Sequence, residues 1–266
     1  MMNLMGKTVF ITGGASGIGK ELARHFAMEK ANLVLSANSS KKKLESWSEE
    51  LTRTYGIKVW QVVGDLSGPD GPQNLYDQVK ACVPHVDILV NNAGLMAFGN
   101  FHEISAELQE KVVNVNIRAY MLMMRYFIPE MVARRDGAVF NVCSVSSFVP
   151  TPHHAVYGAT KAFLQNLSEA VDQELKNTGV HVFTLNPGYT DTPMLQGNGF
   201  PKKLRFYSIG GKSTPADIAR KGVEAFKQGK RVYIPEPHLW FLFSVLNRFA
   251  PKRLINAISG MMVSPG

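Results

Sequence analysis

The chain has 266 residues, 45% hydrophobic and 19% charged, which suits a folded protein with room for one large α/β domain and a sizeable buried core. Its two cysteines, Cys82 and Cys143, have no CxxC or zinc-type partner, so reduced thiols and a cytoplasmic protein are expected rather than a disulfide or metal scaffold. The net charge of +8 is uneven: 12 Lys and Arg against 3 Asp and Glu lie between Pro201 and Arg253, and the remainder is close to neutral.

The N-terminal "MMNLMGKTVFITGG" has no apolar stretch long enough for a signal peptide and runs into a strand pattern. "KTVFITG" is a β-branched run that ends in glycine. "IGKELARHFAMEK" has helical spacing, with Ile18, Leu22, Phe26 and Ala27 on one side. A strand "NLVLSA", a polar helix "KKKLESWSEELTRTYG" and a strand "KVWQVVGDL" follow. Next come a helix, "PQNLYDQVKACVP", and a strand, "VDILVNNAG". A long helical pattern runs from about Ser105 to Arg135, and its methionines (Met121, Met123, Met124, Met131) read as core. The strand "GAVFNVCS", a helix from Tyr157 to about Asn177, and the strand "VHVFTLNPG" complete the alternation. Short apolar strands alternating with helices predict a doubly wound parallel sheet, a three-layer α/β/α Rossmann fold, with ligands beyond the carboxyl ends of the strands. No internal repeat or linker interrupts residues 1–266, so one domain is expected.

The first strand ends in "TGGASGIGK". Gly13, Gly17 and Gly19, with Ala15, Ser16 and Ile18 among them, fall between a strand and a helix start. Glycines let backbone approach a pyrophosphate, and a helix N-terminus offers free N–H groups and positive potential. A structural turn is the plain alternative; after the first strand of an α/β chain, a dinucleotide is favoured. The acidic residue that binds an adenosine 2′-hydroxyl belongs at the end of the second strand. Here "LSANSSKKK" offers Ala37, Asn38 and Ser39 with no carboxylate, then Lys41 to Lys43, which favours NADP(H) while leaving NAD(H) open.

In order, "TGGASGIG", "GDL", "NNAG", "VNI", "VCS", "YGATK" and "NPGYTDTPM" resemble the short-chain dehydrogenase/reductase family, from Lys7 to about Pro235. The resemblance implies an oxidoreductase that interconverts a ketone and a secondary alcohol. It implies adenine contacts at Asp65 and Leu66, and a groove-shaping turn at Asn92, Ala93 and Gly94. Pro187, Gly188, Thr190 and Thr192 would hold the nicotinamide amide. Asn116 would support a catalytic lysine through a water, Ser144 would orient the substrate, and Tyr157 and Lys161 would be the catalytic pair and also contact the cofactor. A homodimer or homotetramer is implied too. A second pair at the same spacing, Tyr76 and Lys80, precedes the fourth strand, away from any serine-bearing strand end, and is read as an ordinary exposed pair.

A hydride added to a carbonyl leaves an alkoxide that needs a proton. The expectation is that Lys161 brings the phenol of Tyr157 from near ~10 toward working pH, with Tyr157 as acid in reduction and base in oxidation. His153 and His154 lack further ligands at metal spacing and are read as lining the substrate mouth or covering a loop. Residues 194–213, with glycines, aromatics and cations, look like a substrate lid, and 238–266 form an apolar and basic extension too interrupted to span a bilayer. The extension either lies on anionic lipid, packs on a neighbouring subunit, or closes the pocket. Each version points to a large apolar substrate, a 3-oxoacyl lipid or a steroid-like ketone. A non-catalytic NADP-binding module that senses redox state or docks at membranes is the second reading. Nucleic-acid binding lacks a motif and is set aside.

Overall fold

The computed structural model describes residues 2–38, 41–197, 200–201, 204–205, 207, 211–246 and 249–263. The apolar runs become strands β1 (Thr8–Ile11), β2 (Asn32–Ala37), β3 (Val59–Val63), β4 (Ile88–Asn91), β5 (Gly137–Val142), β6 (Val180–Leu185) and β7 (Val232–Tyr233). They form one parallel sheet in the order β3-β2-β1-β4-β5-β6-β7, with Phe10 opposite both Val34 and Leu89. The order reverses between β1 and β4, so the loops leaving these two strands part to opposite faces and open a crevice.

The helices are α1 (Gly17–Met28), α2 (Lys41–Tyr55), α3 (Gly71–Cys82), α4 (Ala106–Val113), α5 (Tyr120–Arg134), α6 (Ala155–Glu174), α7 (Pro215–Lys227), α8 (Pro237–Trp240) and α9 (Lys252–Val263). A π-helical segment (Asn114–Ala119) joins α4 to α5, so the long predicted helix is continuous but not uniformly α. Alternate strand residues face opposite layers. Val9, Ile11, Leu33 and Leu35 meet Leu22 and Phe26 of α1 and Phe226 of α7. Phe10, Val34 and Leu89 meet Leu75 of α3 and Met123 and Phe127 of α5.

The pair Tyr76 and Lys80 has a structural task. The Tyr76 hydroxyl and the Lys80 ammonium both donate to Glu130 at 2.8 Å, tying α3 to α5. The pair is half-buried rather than fully exposed, because it seals the seam between two helices.

A third apolar cluster lies outside the sheet. It gathers Met96, Val145, Phe200 and Leu204 with Ile234 and Leu239. Phe200 and Leu204 come from the predicted lid, parts of which lie outside the described residues. Leu239 and Phe243 come from the C-terminal extension, so its first half closes this cluster, and Phe243 stacks on Phe148 at 6.3 Å. On α9, Leu254, Ile258 and Met261 stay exposed. Among the described residues no helix is long and apolar enough to cross a membrane.

Phe140 on β5 is fully buried, with the rings of Phe183, Phe226 and Phe26 at 4.7, 5.4 and 6.2 Å. Phe140→Ala should cost about 3–5 kcal/mol. Urea unfolding followed by circular dichroism checks this; a midpoint equal to the parent's would mean that the cluster does not hold the layers together.

Candidate active site

The crevice at the β1/β4 reversal is stitched closed at its floor. Thr12 directly follows β1, and its Oγ1 accepts from the backbone N–H of Asn92 at 2.9 Å and of Ala93 at 3.0 Å. In return the Asn92 side-chain amide donates to Thr12 O at 2.9 Å and Gly13 O at 3.2 Å. Gly19 sits under this joint. A Cβ there would overlap the Gly13 carbonyl oxygen and the Asn92 amide, so only glycine permits the approach. Thr12 was absent from the sequence-based candidates; its position directly before Gly13 was the only signal.

Above the joint lies an elongated cleft of about 730 Å³. Gly13, Ala15, Ser16, Gly17 and Ile18 line one part, and Asn38, Asp65 and Leu66 line the rim at the ends of β2 and β3. Asn92, Ala93 and Gly94 form a wall. Pro187, Gly188, Thr190 and Thr192 face it from the loop after β6, and Ser144, Tyr157 and Lys161 stand at the inner end. Gly19 and Asn116 lie behind the lining, and Ser39 lies outside the described residues. Lys43, read from the sequence as part of a basic helix start, reaches the cleft itself.

The donors of the glycine loop fit an anion. Ser16 occupies the N-cap of α1 with no side-chain cap, and the first turn of α1 carries no acid. Its first N–H groups and the positive helix end therefore face the cleft unopposed. A dinucleotide's pyrophosphate suits that cradle, and the volume and length of the cleft suit the rest of the molecule.

At the inner end, Ser144 follows β5 and accepts from Ser146 N at 3.1 Å. Tyr157 and Ser144 stand together at the inner end of the cleft, and Ser144 acts to lower the Tyr157 phenol. The nearby Ser147 donates to the Lys161 carbonyl at 3.0 Å. Lys161 is buried, and its ammonium donates to Val142 O at 2.8 Å and lies 5.7 Å from the Tyr157 ring centroid. Burial pushes the Tyr157 phenol up to about 12, only partly offset by Ser144. Burial pulls Lys161 down to about 8. The expected lowering of the tyrosine by the lysine is thus not what the geometry gives: the ammonium is turned to a carbonyl, and the low-dielectric setting disfavours both charges.

Asn116 sits in the π-helical segment and is fully buried. Its Oδ1 accepts from Leu95 N at 2.9 Å, while its amide donates to Leu95 O at 2.9 Å and Thr160 Oγ1 at 3.1 Å. It clamps the loop after β4 to α6, one residue before Lys161, and both amide protons are spent on protein partners. Cys143 is buried and its thiol is raised to about 12, so it packs and does not ionise.

One further residue escaped the sequence reading. Glu236 is buried, takes a hydrogen bond from Ser213 Oγ at 2.8 Å, and receives Gly188 N–H at 3.3 Å, so it braces the loop after β6. It carries an ordinary residue type in a loop, where spacing gives no direction. His154, read from the sequence as lining the substrate mouth or covering a loop, is buried at the cleft wall beside Tyr157.

Residues 7–200 match the family model of short chain dehydrogenases. An uncharacterized oxidoreductase of Staphylococcus epidermidis is 31% identical over 214 residues, covering 79% of this chain and 90% of that protein. A short-chain dehydrogenase from Sphingobium yanoikuyae, solved in complex with NADPH, superposes with a TM-score of 0.83 at 28% identity, covering 91% of this chain and 92% of that one. One from Burkholderia phymatum, solved in complex with NAD, gives 0.80 at 25% identity, with 92% and 94% covered. With its glycine loop, its cleft and this match across most of its length, the chain belongs to the short chain dehydrogenase family of oxidoreductases.

Proposed function

We propose that the protein is an NADP(H)-dependent reductase that interconverts a large apolar ketone and its secondary alcohol. One observation carries the reading: a single cleft joins an anion-binding glycine loop at one end to Ser144, Tyr157 and Lys161 at the other. A non-catalytic binder has no use for the second end.

The nicotinamide ring of a bound cofactor supplies the hydride. Gly13 to Ile18 would hold its pyrophosphate, Asp65 and Leu66 its adenine, and Pro187 to Thr192 its amide. The rest falls to the chain. Ser144 and Tyr157, both lining the inner end of the cleft, would converge on one carbonyl oxygen. A phenol raised to about 12 is fully protonated at neutral pH, so Tyr157 holds the proton that the developing alkoxide needs. Lys161, still charged below about 8, stabilises the phenolate as it forms. Asn116 is a positioning residue, fixing the wall at Leu95 and the start of α6. The third apolar cluster includes Tyr157, and its members Met96, Val145, Met194 and Leu195 line the cleft, giving an apolar wall for the substrate body.

Support for NADP(H) comes from the β2 end. Ala37 and Asn38 line the cleft there with Lys43, and no carboxylate follows β2 to repel a 2′-phosphate.

Tyr157→Phe should keep cofactor binding and lower kcat by about 10²–10⁴-fold, since only the proton is removed. Stopped-flow turnover beside a binding titration tests it; near-parental kcat would dismiss the assignment. Fluorescence titration should give NADPH a Kd at least ~10-fold below that of NADH, one charge-assisted contact being worth about 1.5–3 kcal/mol. Lys43→Glu should narrow or reverse that order, and equal affinities in the parent would reject the NADP(H) preference. As pH rises through about 8, Lys161 loses its proton and ketone reduction should decline, while Tyr157 stays protonated. A pH profile of kcat/KM that stays flat to pH 10 would refute the role given to the lysine.

A further inference from the structure

Among the described residues, six of the thirteen exposed large hydrophobic side chains lie between Trp240 and Met261. They are Trp240, Phe241, Phe249, Leu254, Ile258 and Met261, and Phe249 is 83% exposed. Apolar side chains scattered singly over a surface are ordinary, but a concentration of them marks a contact. On α9, Leu254, Ile258 and Met261 are four and three residues apart, so they share one face. Ser259 and Val263 lie around the other side of the helix. There Ser259 Oγ donates to Pro150 O, and Val263 is buried. The helix is therefore seated by one face and presents its apolar face outward.

The charge of the same stretch is one-sided. The last carboxylate in the sequence is Glu236, which is buried against Gly188 and Ser213. After it come Arg248, Lys252 and Arg253. Lys252 and Arg253 open α9 and are exposed, and no acid stands in its first turn. Cations at a helix N-terminus oppose the helix dipole, so their place there does not serve the helix, and an external anion would relieve the opposition. Apolar bulk beside unopposed cations is the chemistry of a helix lying on an anionic bilayer, and tryptophan suits the same level. A second copy of the chain fits worse, because a two-fold contact through this face would set cation against cation. Among the described residues no helix could cross the bilayer, so the segment would lie on it.

We propose that α9, with Trp240, Phe241 and Phe249 before it, forms a docking surface for an anionic phospholipid bilayer. The surface stands beside the cleft. Phe243 stacks on Phe148 and Ser259 bonds Pro150, so both halves of the segment grip the loop 148–150, which leads into α6 and Tyr157. Leu239 and Phe243 also belong to the apolar cluster that includes Tyr157. An apolar substrate dissolved in the lipid would meet the cleft wall with little exposure to water. The docking stands apart from the reductase reading; only this substrate route rests on it.

Vesicle flotation of the full chain tests the docking. Vesicles of phosphatidylcholine with phosphatidylserine should be bound at least ~10-fold more tightly than phosphatidylcholine alone, the scale that two cations near an anionic surface supply. Added salt should weaken that preference. Leu254→Ser with Ile258→Ser should lower partitioning onto both kinds of vesicle by at least ~10-fold. Lys252→Glu with Arg253→Glu should remove the preference for phosphatidylserine. All four positions are exposed and none lines the cleft, so turnover of a water-soluble ketone should stay at the parental level. No binding to the phosphatidylserine vesicles overturns the proposal, as does equal binding to both kinds or binding that the α9 variants leave unchanged. A dimer that forms with rising concentration and is lost with Ile258→Ser, while vesicles are ignored, assigns the face to a second copy and overturns it too. A protein that binds the vesicles but reduces no ketone would remove the reductase reading and leave the docking surface standing.

Discussion

The joint between Thr12 and Asn92 is the constraint on which the site depends. Two strands adjacent in the sheet, β1 and β4, send their following chains to opposite faces. Without a tie, the divergence would leave a loose gap. The Thr12 hydroxyl accepts two backbone N–H groups of the β4 loop, and the Asn92 amide returns two hydrogen bonds to the β1 loop. The gap becomes a cleft with a fixed floor. Everything that faces it, from the N-terminus of α1 to the inner serine and tyrosine, is measured from that floor. The hydrogen bonds are partly buried, and a partner removed there would leave others unpaired.

A low dielectric sets the electrostatics of the inner end. Tyr157 and Lys161 are displaced in opposite directions, one toward retaining its proton and the other toward losing it. Each shift favours the neutral form, as desolvation requires. In the proposed reaction, Tyr157 keeps its proton until negative charge develops on the substrate oxygen beside it. Ser144 works against the burial of the tyrosine, and the carbonyl of Val142 takes up the lysine ammonium.

Much of this was legible in the sequence, for physical reasons. Strands such as "TVFI" and "GAVFNV" are apolar on both faces because helices cover both, and that composition survives in one dimension. The glycine loop was legible because only glycine tolerates the crowding at residue 19. The tyrosine and lysine four apart were legible through helical periodicity, and the setting separated them from Tyr76 and Lys80. What spacing could not convey was direction. Nothing in "NVCSVSS" says that Lys161 turns to Val142 O, or that Ser147 is occupied by a carbonyl. Nothing in "TPHHAVYG" says that the second histidine turns inward. Glu236 lies beyond the recognised motifs, and its partner Gly188 is 48 residues away. Contacts between loops depend on the assembled sheet and leave no local trace.

The π-helical segment at Asn114–Ala119 has one more consequence. A plain α-helix advances about 100° per residue, so a stripe of buried positions drifts around its axis over a long run. The wider turn advances less per residue. It brings Val112, Val115 and Ala119 into phase with Tyr120 and Met123, all of them buried, while Asn116 is set toward the loop it clamps. The segment is therefore a phase corrector between two helical halves. Removing a single residue from it would restore ideal geometry and throw the clamp and the core stripe out of step, so the irregularity is what allows one continuous rod to serve the sheet at one end and the cleft at the other.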